Sequence, residues 1–138
     1  MFEKYDQYLS LEFSDDYWSD EGISYAASML NTFTEADWVT LKNSSRSKSA
    51  QWIARCAETL GDSHKRHSLD LLLSWSQSGN HEIVISALDS INALSLSGLD
   101  ISLYSDQLRA VISEIKVGNS PPEKMLLSSL QKKLGSGR

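Results

Sequence analysis

The chain has 138 residues, 41% apolar and 22% charged, with a formal net charge of −5 and a single cysteine. That length suits one domain around one core, the composition excludes wholesale disorder, and a lone Cys56 excludes an internal disulfide. The charge is uneven: residues 1–40 hold nine carboxylates against Lys4 alone, a net of −8, whereas the other 98 residues net +3. An acidic first third repels nucleic acid and anionic membrane and attracts a basic protein surface.

Phe2, Tyr5, Leu9 and Phe13 recur at helical spacing and predict an amphipathic opening helix. Phe13 to Ser19 reads as an acidic, aromatic loop containing Asp15, Asp16, Tyr17 and Trp18. Ser19 is then the expected N-cap of a helix with Asp20 and Glu21 in its first turn and Ile23, Ala26, Ala27 and Leu30 on its apolar face. Thr34 and Asp37 have capping-box spacing and start a short helix carrying Trp38, Val39 and Leu41. The polar, serine-rich stretch from Lys42 to Ser49 reads as a connection between helix pairs.

The next helix runs from about Ser49 to Leu60 and stops at Gly61. Its partner starts after Asp62 or Ser63, passes Trp75 and ends near Gly79. Asn80 caps a helix from His81 to Leu94, followed by a longer loop from Ser95 to Leu103 that contains Gly98. Leu108, Val111, Ile112 and Ile115 mark a further helix ending at Gly118. Ser120, Pro121 and Glu123 form a strong start signal for a closing helix with Met125, Leu126, Leu130 and Leu134, after which Gly135 to Arg138 reads as a frayed tail. No segment alternates as a strand.

Ile53, Ala54, Ala57 and Leu60 recur 34 residues later as Ala87, Leu88, Ile91 and Leu94. A period of that length with two helices per unit predicts an all-α solenoid. The expected architecture is a single helical-repeat domain over residues 1–134, with hairpins at about 19–43, 47–79 and 80–118 and the first and last helices as caps.

The run Ala57-Glu58-Thr59-Leu60-Gly61-Asp62, then Leu71-Leu72-Leu73, then Gly79-Asn80-His81-Glu82-Ile83-Val84 and Ala87-Leu88, resembles HEAT repeats. In that family a leucine-glycine-acid turn joins the two helices of a unit. The chain departs from the pattern at Trp52, at Ser86 and in the long turn from Ser95 to Leu103. A second resemblance rests on the acidic first third and on Trp38, Lys48, Gln51-Trp52 and Arg55-Cys56-Ala57-Glu58. It is to HEAT-like immunity proteins of contact-dependent growth inhibition and other polymorphic-toxin systems. This resemblance implies a protein that neutralises a cognate toxin, often a nuclease, by binding it in the cytoplasm.

The candidate chemistry is sparse. His64 and His67 lie one helical turn apart, with Asp62 and Asp70 nearby, but no second His or Cys pair completes a zinc site, and His81 begins another helix. Cys56 sits within an apolar pattern and reads as an inert buried thiol. No nucleophile elbow, phosphate loop or dinucleotide fingerprint occurs. Trp38, Trp52 and Trp75 read as core. Lys65, Arg66, Arg109, Lys132 and Lys133 offer a basic stripe, but nearby acids nearly balance it and argue against nucleic-acid binding.

No catalytic residue, metal or cofactor is therefore expected. The candidate partner-binding residues are Asp15, Asp16, Tyr17, Trp18, Asp20 and Glu21, where carboxylates surround two aromatics suited to an interface anchor; the other reading of Trp18 is a staple folded back over the first two helices. The expected partner is a protein toxin with a basic surface, and the alternative role is a helical-repeat adaptor or scaffold subunit. Aliphatic runs no longer than three residues and an N-terminus without a signal-peptide pattern make a soluble, cytoplasmic protein the expectation.

Overall fold

A computed structural model of the chain describes residues 1–63, 66–115 and 120–135. The described residues are 78% helical, without a strand, and form eight helices. These are α1 (Phe2–Leu9), α2, α3 (Glu35–Ser45), α4 (Ala50–Leu60), α5 (Arg66–Trp75), α6 (His81–Leu96), α7 (Ser105–Glu114) and α8 (Pro121–Gly135). Helix α2 is one rod made of Asp15–Tyr17, a π-helical turn Trp18–Gly22, and Ile23–Leu30. A short 3₁₀ turn, Ser102–Tyr104, precedes α7.

Local chemistry explains most boundaries. Thr34 and Asp37 form a complete capping box, Thr34 Oγ1 accepting from Asp37 N–H at 3.2 Å and Asp37 accepting from Thr34 N–H at 2.9 Å. Ser49 and Asn80 cap α4 and α6 through side-chain oxygens that accept from Trp52 and Ile83 N–H, each at 3.1 Å. Helix α6 outruns the expected Leu94 and closes on Gly98, whose φ of 111° places it in the left-handed region. There Leu99 N–H reaches Leu94 O and Gly98 N–H reaches Ser95 O, the paired bonds of a Schellman end.

Two expected boundaries are corrected. Ser14, not Ser19, caps α2, accepting from Tyr17 N–H at 3.1 Å, so the expected loop from Phe13 to Ser19 is mostly helix. The earlier start lines up Trp18, Gly22, Ala26 and Leu30 at steps of four on one buried face. Helix α3 also continues through Ser45, leaving only Arg46 to Ser49 as the connection. Ser45 is buried and donates to Lys42 O, which lets a serine-rich segment stay helical. The end proposed at Gly118 and residues 136–138 of the proposed tail lie outside the described residues, whereas Gly135, expected in that tail, is the last residue of α8.

Alternate helices pack side by side, α2 on α4, α4 on α6 and α6 on α8, while α5 leans on both α4 and α6. Helices α4 and α6 share the broadest contact. Of the repeated positions, Ala54, Ala57, Leu60, Ala87, Leu88, Ile91 and Leu94 are all buried and Ile53 is partly so. At the crossing, Ser90 Oγ donates to Ala57 O at 2.6 Å. A Cβ on Gly61 would stand 2.7 Å from Ser90 Oγ and 3.1 Å from its Cα, so only glycine fits there. The buried apolar side chains make one continuous core from Phe2 to Leu134.

Gly61→Ala is expected to cost about 1–3 kcal/mol by forcing the two helices apart. Ser90→Ala should cost on the order of 1 kcal/mol for its lost hydrogen bond. In a denaturation double-mutant cycle the two should couple, because removing Oγ relieves the tightest contact of the new methyl, leaving those with Cβ at 3.0 Å and Cα at 3.1 Å. Strict additivity would show that the helices do not meet at this point.

Candidate functional site

The acidic lobe is built by α1, α2 and the start of α4. Asp6, on α1, is enclosed: its Oδ1 accepts from Lys48 Nζ at 2.8 Å and from Trp52 Nε1 at 2.9 Å. Asp37 accepts from Phe2 N–H at 3.3 Å besides closing its capping box, and the Thr34 N–H foremost holds its pKa below the usual 3.8. Glu35 pairs with His67 at 3.0 Å. Three carboxylates of the first third are thus committed to structure. Asp15, Asp16, Asp20 and Glu21 are exposed and have no hydrogen-bonded or ionic side-chain partner among the described residues.

The two aromatics expected beside them separate. Trp18 is buried, stacked on Phe13 with ring centroids 5.5 Å apart, so it folds back into the core instead of standing out as an anchor. The π turn makes this possible: Ile23 N–H bonds to Trp18 O, five residues back, and the ring lies over its own backbone at Gly22. A Cβ on Gly22 would sit 2.4 Å from the indole. Tyr17 stays 39% exposed, and its hydroxyl lies 3.0 Å from that of Tyr8. Tyr8 also meets Tyr25, itself 55% exposed, at 4.7 Å between centroids. Burial, Tyr17 and the nearby Glu21 push the Tyr8 pKa well above that of an ordinary phenol.

The exposed site is therefore Tyr8, Tyr17 and Tyr25 with Glu21 beside them and Asp15, Asp16 and Asp20 on the same rod. Tyr8 and Tyr25 escape the sequence reading because α1 must fold onto α2 to bring them together. Arg55 escapes it too. It reaches from α4 to donate to Leu9 O at 2.8 Å and Leu11 O at 2.6 Å, and its guanidinium lies 5.1 Å from the Phe13 ring and 5.5 Å from Trp18. It closes the open carbonyl end of α1 and clamps the aromatic stack in place.

The other candidates have structural surroundings. His67 lies flat on Trp38, centroids 5.0 Å apart and planes 7° apart, and His81 pairs with Glu123 at 2.9 Å. They sit on different helices, and His64 lies outside the described residues. Among the described residues no group of three or more His, Cys, Asp or Glu is placed to hold a metal ion. Cys56 is fully buried, with Tyr5 Oη donating to its Sγ at 3.2 Å, and desolvation pushes the thiol up to about 12. Trp38, Trp52 and Trp75 are buried as expected. Of the proposed basic stripe, Arg109 pairs with Asp106 and donates to Leu134 O, and Lys65 lies outside the described residues. No helix among the described residues is long and apolar enough to cross a membrane.

Glu58, on α4, borders the Trp18 indole, whose enclosed N–H makes no hydrogen bond of normal length. Burial raises the Glu58 pKa, with Asp89 and Glu82 adding to the rise, against the opposing pull of Trp18 and Arg55. The folded state therefore binds this proton more tightly than the unfolded chain. The destabilisation is absent below the ordinary glutamate pKa and complete above the raised one.

Glu58→Gln should accordingly raise the denaturation midpoint at neutral pH and leave it unchanged in acid below the glutamate range. An equal shift at both pH values would discount the buried charge. Asp37 has the opposite sign: its contribution holds above 3.8 and is lost as pH falls through its lower folded value. Trp18→Ala should cost about 3–5 kcal/mol of stability, as for other buried aromatics. A stability change under about 1 kcal/mol, the range of surface substitutions, would return Trp18 to the surface.

Comparison of the chain with protein-family models, with curated proteins and with solved structures gives no match.

Proposed function

We propose that the chain is a non-catalytic, HEAT-like helical-repeat protein that acts as an immunity protein. It binds a cognate bacterial toxin in the cytoplasm and occludes its basic active-site cleft. One observation carries the reading: Tyr8 of α1 meets Tyr17 and Tyr25 of α2 in a surface patch, and the four carboxylates of α2 have no side-chain hydrogen-bond or ion-pair partner among the described residues. Tyrosine gives large contact area at low entropic cost, and unpaired carboxylates steer a basic partner toward it. The succession α2, α4, α6 and α8 supports the repeat reading, since each unit covers the face its neighbour leaves open. The alternative, an adaptor within a larger complex, is favoured by a groove of opposite charge between α3 and α5.

The test uses the protein encoded beside this one as the candidate toxin. Reversing Asp15, Asp16, Asp20 and Glu21 to lysine should slow association by about tenfold or more at low salt, with the rate of the native protein falling as salt rises. Stability should hardly change, because exposed charges contribute little. Tyr17→Ala and Tyr25→Ala should instead speed dissociation, each costing on the order of 2 kcal/mol of affinity. Affinity that survives all six substitutions within about 1 kcal/mol would remove this patch from the interface.

A further inference from the structure

Between α3 and α5 runs a groove of about 540 Å³. Its floor is apolar, formed by Trp38, Ile53, Leu71 and Trp75, and Lys42 and Arg46 line its α3 side four residues apart. Neither cation lies within ion-pair distance of a carboxylate among the described residues, whereas the nearby Lys48 is bound to Asp6. Asp70 is the one carboxylate among the described lining residues. His67, which also lines the groove, is held by Glu35 and by the face of Trp38. The indole N–H groups of Trp38 and Trp75 have no acceptor among the described residues, and an indole nitrogen can only donate.

The groove thus combines an aromatic floor with two cations and two indole N–H groups that have no protein partner among the described residues, against one carboxylate. Such a surface favours carboxylates attached to an apolar body over a basic ligand. Side chains four apart on a helix stand roughly 5–6 Å apart at Cβ. Alternate residues of an extended peptide are separated by about 7 Å and lie on one side of it, so two acids spaced by one residue can meet Lys42 and Arg46 together. A large apolar side chain beside them would cover the indoles. We propose that the α3–α5 groove is a docking site for an extended acidic peptide segment bearing one large apolar side chain. This is a second binding surface, separate from the tyrosine patch and independent of the immunity reading.

The probe is a blocked pentapeptide with aspartates at its first and third positions and phenylalanine at its fifth, all on one side of an extended chain, titrated against the whole chain while tryptophan emission is followed. Saturable binding is expected. It should weaken at least about tenfold in K42E/R46E, where like charges face the peptide. K42Q/R46Q, which removes the charges without reversing them, should give a smaller loss in the same direction. Replacing the peptide phenylalanine by alanine should also weaken binding about tenfold, the worth of one buried aromatic contact. K124E/K132E, both on α8, which does not line the groove, changes net charge equally and should leave binding within about twofold, since screening confines such effects to near neighbours. The proposal is overturned by absence of saturation at millimolar peptide, by equal affinity in K42E/R46E, or by an equal loss in K124E/K132E. Phenylacetate binding as tightly as the pentapeptide would overturn it in favour of a small-molecule site.

Discussion

Where α6 crosses α4, a serine hydroxyl donates to a backbone carbonyl, and a glycine backbone leaves no space for even one more carbon. The remaining helices are arranged around that contact. With two helices this close, α5 cannot lie between them and must lean across both. The outer flanks of the pair are then left for α2 and α8. Small residues at Ala57, Gly61, Ala87 and Ser90 let backbones meet, and the surrounding leucines and isoleucines fill the layers above and below. Packing of this density has little tolerance for added volume, so the repeat is maintained by what its central positions lack.

The N-terminal lobe is held differently, by polar groups at its seams. Asp6 joins α1 to the start of α4, Asp37 joins it to α3, and Arg55 reaches back to the last carbonyls of α1. Each draws a charged group into partial shelter, where a charge-assisted hydrogen bond is stronger than at the open surface. Once these acids and Glu35 are committed, four of the six remaining carboxylates of the first third lie on α2, beside the tyrosines.

Features decided within a few residues could be read directly from the sequence. Thr34, Ser49 and Asn80 are caps because each has its own backbone target three residues on, and the 34-residue repeat lands on buried positions because helical period alone sets which face turns inward. Trp18 could not be placed in this way. Gly22 interrupts the apolar stripe, and glycine at that site makes sense only after the indole has folded over it. Tyr8 with Tyr25 and Arg55 with Leu9 and Leu11 are pairings across helices, and Trp38 and Trp75 line one groove from two helices, so no local pattern announces them. The acidic patch is visible as composition, whereas the aromatics exposed beside it, Tyr17 and Tyr25 with Tyr8 between them, and the burial of Trp18 emerge only from the packing of α1 on α2.

Cys56 gives the chain a chemical clock for one particular motion. Its sulfur is roofed by Tyr5, whose hydroxyl also meets Thr59 at 2.6 Å, so a thiol reagent gains access only when α1 lifts away. The depressed acidity of the thiol keeps the reactive thiolate negligible while the lid is down. Labelling speed under native conditions therefore counts openings of the first helix, whether or not the rest of the molecule unfolds. A partner that grips the tyrosine face spans α1 and α2 together. Its arrival would be recorded as a slowing of that clock, in a residue the partner never touches.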